Sequence, residues 1–382
     1  MKEQQKGIDM ISELPDELLI RILSLLPAAD VTRSRILSNR WKHLWAFLPN
    51  LHIVMPRLEK QADKYIDSVN QTLALRGSTP IQKLFLESYY LLNDIRVYNW
   101  VREVEVLEFR FYTSNVMFYW NMFRSCNNTL IKLTLQGLLV LLKPEVEITF
   151  PCLKKLNLQC IEYFGTNSLM VLLSRCPVLE ELCMDKLGLC SNLNIVKLFS
   201  PSMRRLTIKK IEFWNMELVI DAPKLECLHL DSCYFRKYTL VKPTSLVEAY
   251  ISHRWPGNVI QLLRFVSSTK ILELSCESLS DFGGIRNINL PMFPNLVKLK
   301  IPWELLPSVM GLNPPKEDAP ACLRFKLKEI FLVVSYETSE EKRGHFSRKT
   351  PSTGKQKDRG KTGKLAPIKQ SSKQKLSINE SP

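Results

Sequence analysis

Apolar residues recur along this chain as apolar-x-x-apolar-x-apolar, usually after a proline. Clear copies are PCLKKLNL (151–158), PVLEELCM (177–184), PSMRRLTI (201–208), PKLECLHL (223–230) and PNLVKLKI (294–301). Weaker copies are IQKLFL, VEVLEF, NTLIKLTL, TSLVEAYI, TKILEL and KLKEIFL. Their central apolar residues stand at 84, 107, 133, 156, 182, 206, 228, 249, 272, 299 and 330. The intervals run from 21 to 27 residues, with 31 before the last, against a leucine-rich-repeat period of about 20–29. In each copy the last two apolar positions lie two residues apart, so in a strand they share one face. The pattern predicts parallel strands stacked side by side, because one repeat cannot bury its own apolar face and a stack can. TNSLMVLLSRC (166–176) and NVIQLLRFVSS (258–268) carry apolar residues at helical spacing and read as return helices.

Residues 9–49 follow a different period. Pro15 suits the first turn of a helix, where its missing N–H costs nothing, and Asp16 and Glu17 complement the helix dipole. The helix runs LLIRILSLL and stops at Pro27. A second helix is expected from Asp30, a good N-cap, carrying Ile36, Leu37, Trp41, Leu44 and Trp45. The first helix is apolar nearly all round, whereas a surface helix needs one apolar stripe. A module of about 40 residues is also at the lower limit of independent stability. One side of it is therefore expected to pack internally and another on a partner protein.

Composition narrows the function classes. Of 382 residues, 45% are hydrophobic and 24% charged, the balance of a chain that buries a core. No apolar run approaches the roughly 18 residues of a spanning helix, and MKEQQKGID lacks the apolar stretch of a signal peptide. The ten cysteines contain no CxxC and read as thiols of a reducing compartment. An intracellular protein of the cytoplasm or nucleus, without a membrane, is the expectation. The net charge of +15 is concentrated in the tail, where Lys342–Pro382 carries +10 and leaves +5 on the rest. That tail is rich in Lys, Gly, Ser and Pro and is expected to be disordered. It reads as a nucleic-acid-binding or nuclear-localisation arm, a solvated tail, or a divergent terminus.

Catalytic patterns are absent from the sequence. The five histidines stand in no metalloprotease or dyad spacing, and there is no P-loop, GxGxxG or nucleophile elbow. Asp281-Phe282-Gly283 spells a kinase magnesium motif without its companion loops. No catalytic residue, metal site or cofactor is expected.

LPDELLIRILSLLP…ILSNRWKHLW closely resembles the F-box of plant F-box/leucine-rich-repeat proteins. KYIDSVNQTLALRGSTPIQKLFL, FPCLKKLNL, CPVLEELCM and APKLECLHL resemble further phrases of that family, from Asp9 to about Ser335. The resemblance implies an α/β chain: a helical F-box at 9–50, a linker helix at 51–78 and a leucine-rich-repeat horseshoe at 79–335. The basic tail, 336–382, opens like a truncated FBD segment. It further implies a non-catalytic substrate receptor of a ubiquitin ligase. Its F-box would grip a Skp-type adaptor held by a cullin scaffold, and its repeats would hold an unknown protein substrate for ubiquitination. The adaptor-facing positions carried over are Leu14, Pro15, Leu18, Ile22, Leu26, Ile36 and Trp41. Arg35 departs from the family, which has a small residue there.

The substrate surface is expected on the concave strand face, where residues flanking the inward pair point outward. Lys155, Asn157, Glu181, Asp185, Arg205, Lys209 and His229 are its central members. Some relatives bind a small-molecule hormone or an inositol polyphosphate in their repeats, and Arg204, Arg205, Lys209 and Lys210 are candidates for a phosphate. The alternative is a nucleic-acid-associated or scaffold repeat protein using the tail, with a degenerate F-box. Nucleic acid is the less favoured partner.

Overall fold

In a computed structural model, the chain forms a helical N-terminal module followed by one long sheet. The structure describes residues 11–302 except 12, 27–29, 32–33, 35, 78, 91–94, 119, 142–147, 162, 165–167, 189–194, 242–244, 253–255 and 276–290. Residues 329–333 and 374–377 are also described.

Helix α1 spans Asp16–Leu25, with Pro15 at its N-cap rather than inside the first turn; the Pro15 carbonyl accepts from the Leu18 and Leu19 amides. Helix α2 spans Asn39–Ala46. The expected single helix from Asp30 is interrupted before it, because the Ser38 hydroxyl accepts from the Trp41 amide and caps a new start. Ile36 and Leu37 consequently sit in a turn. Leu19 and Leu23 of α1 pack with Leu44 and Trp45 of α2, all buried. Arg40 ties the pair together through Asp16, at 2.7 Å, and the Leu14 carbonyl. Arg35 lies outside the described residues.

The strands, in chain order, are β1 (Asn50–Val54), β2 (Lys83–Ser88), β3 (Val106–Phe118), β4 (Lys132–Leu141), β5 (Lys155–Gln159), β6 (Tyr163–Phe164), β7 (Glu181–Asp185), β8 (Ile195–Phe199), β9 (Arg205–Asp221), β10 (Cys227–Leu240), β11 (Glu248–Ser252), β12 (Ile271–Ser275), β13 (Lys298–Pro302), β14 (Glu329–Val333) and β15 (Gln374–Ser377). Helices α3 (Ala62–Ala74), α4 (Ile95–Tyr98), α5 (Ser168–Ser174) and α6 (Pro256–Phe265) lie between them. The sheet runs β1-β2-β3-β4-β5-β7-β9-β10-β11-β12-β13-β14-β15, parallel throughout except for its last pair. β6 pairs with β4 and β8 with β9.

The sequence phrases fall on one register line. Leu84, Leu107, Leu133, Leu156, Leu182, Leu206, Leu228, Ala249, Leu272, Leu299 and Ile330 are direct partners from strand to strand. Alternation then decides the faces: in β5, Leu156 and Leu158 are buried while Lys155, Asn157 and Gln159 are not. The two return helices are present, and Leu169, Leu172 and Leu173 of α5 bury into the core.

Three departures from the sequence reading stand out. The sheet begins one strand early, since β1 lies inside the segment read as a linker helix and pairs Leu51 with Leu84. Leu48-x-x-Leu51-x-Ile53 is in fact another copy of the phrase, and Leu51 and Ile53 are buried. The return before β9 is a strand, β8, because β9 runs on past the five residues of β5 and β7 and its far half offers β8 an edge. In the tail read as disordered, Gln374–Ser377 pairs antiparallel with β14, satisfying part of an otherwise open edge; 336–373 and 378–382 lie outside the described residues.

Glycine is required at position 137, where φ is 141° and an added Cβ would lie 2.6 Å from the Phe111 carbonyl oxygen.

Candidate functional site

Parallel pairing aligns the outward side chains of the repeats into three rows. One row runs Lys132, Lys155, Glu181, Arg205, Cys227, Glu248. The middle row runs Glu108, Thr134, Asn157, Cys183, Thr207, His229, Tyr250, Glu273. The third runs Gln136, Gln159, Asp185, Lys209, Asp231 and ends at Ser252, which is buried. All seven expected substrate-facing residues therefore share one surface, and none is in the core.

The backbone marks where this surface ends. The residue after the third row is left-handed in four neighbouring strands: Cys160 (φ 55°), Lys186 (φ 53°), Lys210 (φ 52°) and Ser232 (φ 51°). Cys160 N–H then donates to the Asp185 carbonyl at 2.8 Å, and Lys186 N–H to the Lys209 carbonyl at 2.9 Å. β5 and β7 end at this level, whereas β9 and β10 run on past it and stay paired. No glycine or asparagine announces this turn in the sequence.

The charges on the rows largely neutralise one another along the strand order. Lys132 meets Glu108 at 2.6 Å, Lys155 meets Glu181 at 3.0 Å, and Arg205 approaches the same glutamate at 3.7 Å. Lys300 closes on Glu273, and Arg204 on Glu226. The four cations considered for a phosphate do not converge, since two are held by glutamates and Lys209 stands in register between Asp185 and Asp231. His229 stacks on Tyr250 with ring centroids 4.1 Å apart. Burial lowers its pKa, Lys209 adds to the shift, and the imidazole is neutral at neutral pH. Burial likewise raises the Tyr250 phenol, so the stack is an uncharged island among charges.

The second surface is on the N-terminal helices. Of the residues expected to face a partner, Leu18, Ile22, Leu26 and Ile36 are exposed, Ile36 by 86%, and Pro15 stands beside them. Leu14 and Trp41 instead pack against the core cluster and support the surface from behind. Two members escaped the sequence reading, Leu25 and Leu37, which are 80% and 65% exposed. The signal was available: α1 is apolar nearly all round and buries only Leu19 and Leu23.

Hydrogen bonds join the segments that carry the two surfaces. The buried Arg76 guanidinium donates to the carbonyls of Ala46, Leu48, Thr79 and Pro80, linking the end of α2 to the approach of β2. The Gln82 and Lys83 amides also donate to the Pro49 carbonyl, at 2.9 and 3.1 Å.

Among the described residues, no cluster of His, Cys, Asp and Glu has the arrangement to hold a metal ion. No described helix is long and apolar enough to cross a membrane. Burial raises the thiols of Cys126, Cys176 and Cys233 to about 12, far from reactive thiolates.

Comparison with known proteins matches residues 11–52 to the F-box domain. Residues 96–249 match the family described as FBD-associated F-box protein At5g56370, LRR repeats. F-box/LRR-repeat protein At2g42720 of Arabidopsis thaliana is 31% identical, over 81% of this chain and 77% of the relative. F-box/LRR-repeat protein At4g14096 of the same plant is 30% identical, over 81% of this chain and 72% of the relative. F-box/LRR-repeat protein At5g35995, also from Arabidopsis thaliana, is 31% identical, over 80% and 73%.

Proposed function

We propose a function from one premise: this chain belongs to the family of F-box/leucine-rich-repeat proteins. It is a protein-interaction adaptor, and on our reading the substrate-recognition subunit of an SCF-type ubiquitin ligase. The F-box binds a Skp-type adaptor and, through it, a cullin scaffold, while the outward strand face holds a protein substrate. The chain performs no bond chemistry; it fixes the distance and angle between substrate and the ubiquitin-charged enzyme, which is how positioning accelerates a transfer. It acts inside the cell, where its buried thiols stay reduced.

The observation that carries this reading is the apolar stripe Leu18, Ile22, Leu25 and Leu26, continued by Ile36 and Leu37, left exposed on a module whose core is complete without it. Contiguous exposed leucine and isoleucine on a small helical module mark a protein interface. The Arg76 junction supports the second half, because a receptor must connect its two surfaces.

The test is affinity purification of the full chain from cells with and without a proteasome inhibitor. Adaptor and cullin are expected in both samples, and substrates only where degradation is blocked. Recovery of the chain without any Skp-type adaptor would overturn the assignment.

A further inference from the structure

A cavity of about 280 Å³ opens where the F-box meets the first three strands. Leu23 of α1 and Leu26 at its C-cap form one wall; Leu51, Leu84 and Val106, at the starts of β1, β2 and β3, form the other with Phe85. This volume is just below the usual range of small-molecule pockets, roughly 300–1,000 Å³, and suits one large side chain. The cavity is continuous with the outward face: His52, Phe85 and Glu108 line it and are direct partners at the beginning of the middle row. The His52 and Phe85 rings lie 4.5 Å apart, giving the mouth an aromatic side.

The charges at the mouth differ in availability. Glu108 is already held by Lys132 at 2.6 Å. Lys83 is exposed, and among the described residues no ion pair engages it. An apolar hole with Lys83 on its rim is complementary to an apolar group that carries a carboxylate beside it.

We infer that this cavity is the anchor pocket for a large apolar side chain of the protein substrate, and that a carboxylate on the same segment meets Lys83. The inference rests on the receptor reading and adds the substrate's own determinant. A side chain seated here touches the F-box helix and the repeats at once, so the substrate's start is held against the adaptor-binding module. The carboxylate comes either from an acidic residue next to the anchor or from the substrate's own C-terminus.

The probe is an array of acetylated hexapeptides with fixed Phe-Asp, Phe-Lys, Ala-Asp or Ala-Lys cores, together with peptides ending in Phe as free acid or amide. It is read with the full chain co-purified with its adaptor, which is quantified in the same sample. Phe-Asp cores, or free-acid Phe termini, are expected to be retained at least tenfold over the Ala cores, and whichever wins identifies the carboxylate's source. Val106→Trp fills the half-buried wall and is expected to remove that preference. Lys83→Glu, at an exposed site that leaves folding intact, is expected to switch the preference from Phe-Asp to Phe-Lys, or from acid to amide. Equal retention of Phe and Ala cores would overturn the inference, as would unchanged binding by Val106→Trp or an unswitched preference in Lys83→Glu. The adaptor signal separates the two readings: adaptor held with no peptide preference sinks only the anchor pocket, and adaptor lost sinks the receptor reading.

Discussion

The Arg76 guanidinium donates a hydrogen bond to the Leu48 carbonyl at 2.7 Å, in a site where the arginine is only 6% exposed. Three other carbonyls complete its shell and, among the described residues, no carboxylate pairs with it, so backbone dipoles stabilise the charge. Burial holds its pKa below the ordinary arginine value. The bonds to Ala46 and Leu48 are buried, so Arg76→Ala is expected to leave two buried acceptors unsatisfied at about 1–3 kcal/mol each. A total loss of about 3–5 kcal/mol is expected in chemical denaturation, and Arg76→Lys should recover only part of it, because an ammonium cannot span four acceptors.

The exposed helix stripe separates binding from folding. Leu25→Asp combined with Leu37→Asp should abolish adaptor co-purification while shifting the unfolding midpoint by no more than about 0.5 kcal/mol equivalent per site. Leu14→Ala acts from behind the surface and should instead lower stability, by about 1–2 kcal/mol, with adaptor binding falling in proportion. Equal thermal damage from both variants would place Leu25 and Leu37 in the fold rather than at an interface.

The left-handed turn after the third row is strained in all four of its described strands. A non-glycine residue there costs about 1–2 kcal/mol, and glycine relieves it at an entropic cost of about 0.5–1 kcal/mol. Lys186→Gly is therefore expected to stabilise by about 0.5 kcal/mol, and Lys186→Val to destabilise by more than 1 kcal/mol (about, on the same scale). Urea midpoints of the pair with the parent provide the check.

His229 gives stability a pH dependence whose sign follows from its shift. Its folded pKa is below the ordinary 6.5, first through burial and then through Lys209. The unfolded state thus binds the proton more readily, and the contribution is complete above pH 6.5 and declines as pH falls below it. His229→Phe keeps a ring against Tyr250 and should flatten the unfolding midpoint between about pH 5 and 6.5. An unchanged slope would assign that dependence to another group.

The outward rows predict how substrate capture responds to charge. Asp185 and Lys209 are register neighbours on the third row and sit outside the ion pairs that neutralise the first. Asp185→Lys with Lys209→Glu inverts the local order of charge without changing the net charge. Loss of inhibitor-trapped substrates with adaptor recovery intact is the expected outcome in a paired pull-down.

Period and register were legible in the sequence because both are one-dimensional. A phrase recurring every 20-odd residues can bury its leucines only by stacking, so the eleven central residues had to become strand partners, and the outward set from Lys155 to His229 followed from alternation alone. The same phrase at Leu48, Leu51 and Ile53 was divided between the helical module and the linker because it abuts that module, and only pairing with β2 made it a strand. Tertiary structure alone decided the rest, since contact between distant segments has no local signature. It placed Arg76 under Leu48, tied Arg204 and Arg205 to glutamates 22 and 24 residues away in sequence, and left a cavity between Leu26 and Val106. It also chose which leucines of a helix apolar nearly all round are buried: Leu19 and Leu23 meet Leu44 and Trp45, and Leu25 is left exposed.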